Sequence, residues 1–154
     1  MEKALALSYH FLSFRPRSVF EIQTFLRKKA LRYHFSEDEI QSAIDVLKSQ
    51  GFLNDKDFIK SFVSTRNTLK PKSRIVLQME LKKFGISAED IDTYFSENMV
   101  DEEELAKQAL QKKAKSLRMI SDEKKRFVRA ISFLQRRGFS YDIAKKAYLH
   151  VMGR

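Results

Sequence analysis

The sequence contains one helical pattern three times, and this internal repeat limits the possible folds more than any other feature. Residues 15–18 (RPRS) recur as residues 70–73 (KPKS), an offset of 55, and a further offset of 53 carries Gly85 to Gly138. A unit of about 50 residues is only marginally stable alone, so the three copies must bury surface against one another. The repeat therefore predicts modules stacked in series.

The three copies differ in two places. Residues 30–35 of the first copy occupy the position of the short turn at 84–86 in the second, which predicts a longer turn in the first copy. In the third copy, residues 124–126 (KKR) stand where the second has residues 71–73 (PKS). The modules are therefore expected to be related but unequal.

Signals for helices are frequent, whereas signals for strands are nearly absent. Ser18 and Ser36 are each followed by a glutamate three residues later, which is the capping-box pattern. Gly51, Gly85 and Gly138 follow polar or basic segments, where helices commonly end in the left-handed conformation. Apolar residues recur at spacings of three and four, which indicates one buried stripe per helix. The predicted helices are 3–13, 19–31, 37–50, 56–67, 72–84, 88–97, 102–117, 122–137 and 141–151.

The predicted helices group by three. Each group contains a helix, a basic turn, a second helix, a short turn and a third helix, which is a helix-turn-helix-like layout. We therefore predict an all-α fold of three tandem three-helix repeats, residues 1–54, 55–100 and 101–154, stacked into an elongated, curved array.

The charge of the chain is the first indication of function. The 30 Lys and Arg residues against 20 Asp and Glu residues give a net charge of +10, and residues 101–154 carry 14 basic and 7 acidic residues. Such a field attracts polyanions. There is no cysteine, which excludes disulfides, thiolate metal sites and thiol nucleophiles. The sequence also shows neither a secretory signal nor a bilayer-spanning apolar run, so we expect a soluble, cytoplasmic protein that does not bind membranes.

No constellation of residues predicts catalysis. Residues 101–104 (DEEE) point around a helix and are predicted to form its solvated first turn, and His10, His34 and His150 are isolated from one another. The chain has neither a phosphate-cradling glycine loop nor a nucleophile elbow. We therefore predict no enzyme activity, no catalytic residue, no metal and no cofactor.

The candidate binding residues are basic side chains at three kinds of position. At the proline turns they are Arg15, Arg17, Lys70, Lys72 and the adjoining Arg74. At the ends of the second helices they are Arg27, Lys28, Lys82, Lys83, Arg136 and Arg137, with Lys29 beside them. In the densest cluster they are Lys112, Lys113, Lys115, Lys124, Lys125, Arg126 and Arg129, with Arg118 between its two halves.

Two interpretations of these cations stay open. The turn residues are either solvated charges or contacts for phosphates or acidic side chains. Cations at helix ends complement the helix dipole for about 0.3–1 kcal/mol each, and a lone one needs no other explanation. The densest cluster is the best candidate for a surface that binds nucleic acid or a filament.

Aromatic residues are predicted to be mainly structural. Phe25, Phe58 and Phe62, like Phe127 and Phe133, fall at helical spacing and are assigned to the core. Phe139 and Tyr141 flank Ser140 beside the basic pair at 136–137, where base stacking is an alternative to a structural role. We favour the structural role.

Five stretches carry a more specific resemblance. They are LSFRPRS at 12–18, GFLNDKDF at 51–58, FVSTR at 62–66, ELKKFGIS at 80–87 and LQRRGFSYDI at 134–143. In this order, and at a chain length that fits, they resemble the RecX family over essentially the whole sequence. Residues 30–35 and 67–71 depart from the family pattern, because neither segment contains the usual glycine.

The resemblance implies a negative modulator of the RecA recombinase. Such a protein lies in the groove of the filament that RecA forms on single-stranded DNA, opposes its assembly, and lowers its ATP hydrolysis and strand exchange. The implied partners are RecA and single-stranded DNA, with non-specific duplex binding left open. We expect a monomer whose many weak charge contacts along a groove add up to avidity.

Two other functions remain as alternatives. A helix-turn-helix DNA-binding protein that acts without RecA would bind duplex DNA selectively through base-edge contacts. The second helices end in Lys and Arg and offer few Asn or Gln base readers, which disfavours this function. A scaffold that recognises only acidic protein would bind no nucleic acid.

Overall fold

The structure is a computed structural model that describes residues 1–153, and in this range every regular element is a helix. The helices are α1 (Glu2–Leu12), α2 (Val19–Tyr33), α3 (Glu37–Ser49), α4 (Asp55–Leu69), α5 (Arg74–Lys83), α6 (Ala88–Glu97), α7 (Glu102–Arg118), α8 (Glu123–Arg136) and α9 (Tyr141–Val151). The all-α prediction is confirmed, and the helix ends agree with the predicted ones to within two residues. None of the described helices combines the length and apolarity that a bilayer span requires.

Serine hydroxyls begin several helices as predicted. The Ser18 hydroxyl accepts a hydrogen bond from the Glu21 N–H at 3.1 Å, and the Glu21 carboxylate accepts from the Ser18 N–H at 3.4 Å, a complete capping box. The Ser36 hydroxyl accepts from the Glu39 N–H at 3.1 Å, the serine half of the second box. These bonds satisfy amide groups that have no partner within the helix.

The second helices of the three copies share one register but differ in length. Leu26, Leu81 and Leu134 are fully buried at equivalent positions of α2, α5 and α8. The prediction of a longer turn at residues 30–35 is wrong for residues 30–33, which form the last turn of α2. Helix α2 ends after Tyr33, where His34 adopts the left-handed conformation with φ +58°. The residue in this position is therefore not a glycine.

Helix α8 is longer than α5 at its N-terminal end. Asp122 caps it by accepting from the Lys125 N–H at 3.1 Å. Residues 124–126 are therefore helical, although their counterparts 71–73 precede α5. Pro71 disfavours a helical conformation for Lys70, which would be the first residue of such an extension in the second copy, whereas the third copy has Lys124 in place of the proline.

The chain divides into two compact units. Residues 1–62 and 81–94 form unit 1, and residues 63–80 with the described chain from residue 95 onward form unit 2. Each unit thus takes part of the predicted middle repeat, whose boundaries at 54/55 and 100/101 stay predictions, as do the elongation and curvature of the array. The core of unit 1 contains Ala4, Ile22, Leu26, Ile40, Ala43, Ile44, Leu47 and Leu53. The core of unit 2 contains Leu105, Ala106, Ala109, Leu110, Leu117, Ala130, Ile131, Leu134, Phe139, Ala144, Ala147 and Tyr148.

One serine–glycine joint occurs in each unit. In unit 1 the buried Ser18 donates its hydroxyl to the Phe84 carbonyl at 2.7 Å, and a Cβ on Gly85 would lie 2.3 Å from the Phe20 Cβ.

In unit 2 the Ser73 N–H donates to the Arg137 carbonyl at 3.0 Å, and a Cβ on Gly138 would lie 2.2 Å from the Ser73 Oγ. The offsets of 55 and 53 convert the first joint into the second. The repeated serine and glycine therefore mark where the start of one second helix packs against the turn that ends the next one.

Candidate functional site

The basic residues of the first proline turn have partners within unit 1. Arg15 and Arg17 donate to the same Glu21 carboxylate at 2.7 and 3.5 Å. The Arg17 guanidinium also lies 3.7 Å from the centroid of the Phe11 ring. Burial lowers the pKa of Arg17, and the neighbouring Arg15 lowers it further, against the opposing effect of Glu21. Much of the charge at this turn is therefore neutralised internally.

The second proline turn shows the same arrangement in unit 2. Arg66 donates to Glu80 at 3.0 Å, and Lys72 forms a further ion pair with that carboxylate. Burial alone would raise the pKa of Glu80, but the hydrogen bonds from Lys72 and Arg66 outweigh it and lower the pKa. Arg74 lies over the Phe95 ring, with 5.4 Å between its guanidinium carbon and the ring centroid.

Five further candidates also have internal partners. Arg27 forms an ion pair with Glu37 at 3.0 Å. The others contact backbone carbonyl oxygens or aromatic rings: Arg126 with Ile120, Arg137 with Pro71 and Phe133, Lys112 with Thr68 and Leu69, and Lys113 with Phe133. Such contacts hold the side chains in place and leave them less available to a ligand.

The side chains of the remaining candidates have no hydrogen bond, ion pair or ring contact to any part of the chain from residue 1 to 153. They are Lys28, Lys70, Lys82, Lys83, Lys115, Lys124, Lys125, Arg129 and Arg136. The last four line an open groove of about 540 Å³ on α8, together with Val128 and Ser132. We call this the α8 groove.

The α8 groove follows one face of its helix. Lys124, Val128, Ser132 and Arg136 are spaced four residues apart, so they form one row along the helix surface. At about 1.5 Å per residue the row extends for about 18 Å. None of the residues that line the groove is acidic. It is therefore a strip of uncompensated positive charge.

The α8 groove is electrostatically unfavourable for the helix that carries it. Lys124 and Lys125 lie in the first turn, where the helix dipole disfavours cations. Lys125 and Arg129 are like charges four residues apart, which destabilises a helix by about 0.2–0.5 kcal/mol. A bound anion would reduce both the unfavourable interaction with the helix dipole and the repulsion between these two side chains.

The sequence did not reveal which acidic residues compensate the cations. Glu21 follows Arg17 by four residues, a spacing that could have indicated the pair. Glu80 and Lys72 are eight residues apart, and no helical spacing predicts their contact.

The sequence also did not identify Asp55 as a structural residue. Its carboxylate accepts from the Val19 N–H at 2.9 Å, and burial raises its pKa, partly offset by that hydrogen bond.

The aromatic residues are mainly structural, as predicted. Phe58 and Phe139 are buried, and Phe62 packs its ring at 6.0 Å from that of Phe58. Because Phe139 is only 2% exposed, it cannot stack on bases. Tyr141 is 48% exposed and lies outside the α8 groove. The other three predicted core residues, Phe25, Phe127 and Phe133, are partly buried against the cores of their units.

The acidic run at 101–104 belongs to the start of α7. Asp101 caps the helix by accepting from the Glu104 N–H at 3.1 Å. Glu102 accepts from the Arg74 N–H at 2.7 Å, and Glu103 forms an ion pair with Lys146 at 3.2 Å. The prediction of a helical first turn is confirmed.

Family models match most of the second and third copies. Residues 101–148 match the third three-helix domain of RecX, and residues 54–94 match the second three-helix domain of RecX. The chain is 33% identical over 154 residues to regulatory protein RecX of Bacillus pumilus, covering 96% of this chain and 54% of that protein. It is 28% identical over 143 residues to regulatory protein RecX of Geobacillus thermodenitrificans, covering 93% of this chain and 52% of that protein.

Two solved structures share the fold. A crystal structure of RecX from Lactobacillus salivarius matches with a TM-score of 0.73 at 23% identity, covering 98% of this chain and 96% of that one. A crystal structure of regulatory protein RecX matches with a TM-score of 0.69 at 23% identity, covering 99% of this chain and 71% of that one. The fold is thus a helical repeat array, as predicted.

The lengths of these proteins differ. The expectation of a matching chain length holds for the Lactobacillus salivarius structure but is wrong for the two curated relatives, since the chain spans about half their length. The two matched domains nevertheless cover more than half of the chain in the order found in RecX. The chain therefore belongs to the RecX family.

Proposed function

We propose that this protein is a negative modulator of the RecA recombinase. It binds in the groove of the filament that RecA forms on single-stranded DNA and limits filament assembly, ATP hydrolysis and strand exchange. Membership of the RecX family carries this proposal, because the resemblance to that family implies such a role. The protein acts by binding in the cytoplasm, as a monomer and without catalysis of its own.

The distribution of free charge supports this mode of action. Nine of the predicted cations have no partner within residues 1–153, and they occur on both units. An exposed ion pair contributes only about 0.2–1 kcal/mol, so any single contact would be weak. Several contacts made at once along a regular partner give avidity without a deep pocket.

A RecA ATPase assay tests the proposal directly. RecA from the same organism is incubated with single-stranded DNA and ATP, and increasing amounts of this protein are added. We expect ATP turnover to slow at substoichiometric or modest ratios, because each bound molecule blocks filament growth. Unchanged turnover across all ratios would rule out the proposed function.

The same preparation distinguishes the proposal from a helix-turn-helix protein that acts without RecA. Selection from a random duplex library should enrich no sequence, because charge contacts to phosphates carry no sequence information. Enrichment of a defined site, together with no effect on RecA, would favour the alternative. Light scattering should give the mass of one chain of 18.1 kDa.

A further inference from the structure

We infer that the α8 groove binds the sugar-phosphate backbone of nucleic acid and does not read its bases. This inference rests on the proposed function and extends it, because it assigns one part of the basic surface to the nucleic acid and not to protein. The residues concerned are Lys124, Lys125, Arg129 and Arg136.

The charge of the groove favours nucleic acid over protein as the ligand. Four of its six lining residues are cations without internal partners, and the other two are uncharged. The central part of a protein–protein interface is depleted in charged residues and enriched in aromatic ones. Protein–nucleic acid interfaces are much more positively charged. The groove matches the second description.

The floor of the groove explains why bases would not be read. Val128 and Ser132 are small, and no aromatic side chain lines the groove, so it offers no platform for base stacking. Neither Asn nor Gln is present to pair with adenine, so guanine is the only base whose edge these side chains could bind with paired hydrogen bonds. Phosphates recur along every strand whatever its sequence, so they are the ligands that all four cations can bind at once.

The length of the groove fits a run of phosphates. Twelve residue steps from Lys124 to Arg136 extend about 18 Å at 1.5 Å per residue. A B-form strand carries one phosphate about every 3.4 Å, so this length corresponds to about five phosphates. Four cations spread over that length can each contact a different phosphate.

The equivalent faces of the other two second helices keep only one free cation each, the counterpart of Arg136, which is Lys83 in α5 and Lys28 in α2. By the offset of 53, Lys124 and Arg129 correspond to Pro71 and Val76, and the counterpart of Lys125 is Lys72, which forms an ion pair with Glu80. In α2, a further 55 residues back, Arg129 corresponds to Glu21. The continuous strip of free cations is therefore specific to the third copy.

Salt dependence of binding tests the inference with the full chain. Fluorescence anisotropy would measure the affinity for labelled oligo-dT over a range of salt concentrations, for the wild type and for Lys125→Gln combined with Arg129→Gln. The slope of log affinity against log salt should fall by about 1.4, because each lost phosphate contact on a single strand contributes about 0.7. The same loss is expected with a mixed-sequence oligonucleotide, since bases are not read.

Two control variants accompany this measurement. Lys56→Gln combined with Lys60→Gln removes the same charge from exposed positions of α4 and should leave the slope unchanged. Lys125→Arg combined with Arg129→Lys keeps both charges in the groove and should keep the wild-type slope. Circular dichroism should show equal helicity in all variants, because substitutions at exposed positions usually change stability little.

The outcomes separate this inference from the proposed function. A wild-type slope in the groove variant, or equal slope changes in the groove and α4 variants, would overturn the inference. If the groove variant binds oligo-dT with the wild-type slope but no longer inhibits RecA, the groove contacts protein instead. If the wild type has no effect on RecA while the slope falls as expected, the inference stands and the proposed function fails.

Discussion

The first proline turn and helix α8 are both rich in basic residues, but the charges are paired with an acid only at the turn. Arg15 and Arg17 share the carboxylate of Glu21, whereas the side chains of Lys125 and Arg129 have no partner within residues 1–153. One reason is that the counterpart of Glu21, the shared acid, is Arg129 itself in the third copy. A basic segment therefore keeps its cations available to a ligand where the fold provides no acid to neutralise it.

The largest expected effect tests whether the same kind of joint stabilises both units. Gly138→Ala would place a Cβ 2.2 Å from the Ser73 Oγ and 2.4 Å from the Val76 Cγ2, at φ +93°. We expect a loss of about 2–4 kcal/mol in the free energy of unfolding, from the left-handed conformation and from overpacking. Gly85→Ala should cost a similar amount in unit 1, and urea denaturation measures both losses.

Gly51→Ala provides the control for these two variants. Gly51 has φ +80°, but a Cβ at this position would meet nothing within 4 Å, so only the conformational cost of about 1–2 kcal/mol applies. Equal losses at all three glycines would mean that the close approach in the joints contributes nothing to stability.

A smaller effect is expected from removing the acid of the first proline turn. Glu21→Gln removes the negative charge that pairs with Arg15 and Arg17 and leaves one acceptor oxygen where the structure uses two, so we expect a loss of about 1–2 kcal/mol. The same variant should bind oligo-dT with a steeper salt dependence, by up to about 0.7 in slope, since the half-exposed Arg15 becomes available to a phosphate. Asp92→Asn, at an exposed position of α6 beyond its first turn, should change neither property. An unchanged slope in Glu21→Gln would show that the ion pair with Glu21 does not prevent Arg15 from binding a phosphate.

A pH-dependent effect is expected at Glu80 in unit 2. Its folded pKa lies below the unfolded value of 4.5, so its contribution to stability is complete above pH 4.5 and is lost as the pH falls through the folded pKa. Glu80→Gln should therefore cost about 0.5–1.5 kcal/mol at pH 7. The difference from the wild type should shrink below pH 4.5. Denaturation at both pH values checks this, and a difference independent of pH would contradict it.

The smallest effect, of opposite sign, is expected at Asp55 in unit 1. Burial raises its folded pKa above the unfolded value of 3.8, so its contribution to stability is complete below pH 3.8 and is lost as the pH rises through the folded pKa. Relative to Asp55→Asn, the wild type should become more stable as the pH falls through this window. The same denaturation series measures it, and a shift in the other direction would show that the hydrogen bond from Val19 dominates.

Much of the fold could be predicted from the sequence because its determinants are local. Ser18 and Glu21 lie three residues apart and cap α2 through their own side chains. The end of α2 could not be predicted in this way, since residues 30–33 are compatible with either a helix or a turn. The helix ends where His34 adopts a left-handed conformation that non-glycine residues rarely occupy.

The candidate site was less predictable, because the availability of a cation depends on distant residues. Arg27 and Glu37 are ten residues apart, and Lys112 meets the carbonyl of Leu69 across 43 residues. Composition identified the third copy as the most basic part of the chain, but it could not distinguish Arg126, which contacts the Ile120 carbonyl, from the unpartnered Arg129.

The serine–glycine joint has a consequence for how such a chain can evolve. The first copy supplies only the serine of a joint, Ser18, and the third supplies only the glycine, Gly138. The middle copy carries both Ser73 and Gly85 and is therefore compatible with itself. A tandem duplication of the middle copy would supply both the serine and the glycine of an additional joint. The array can therefore gain a repeat without a new kind of interface.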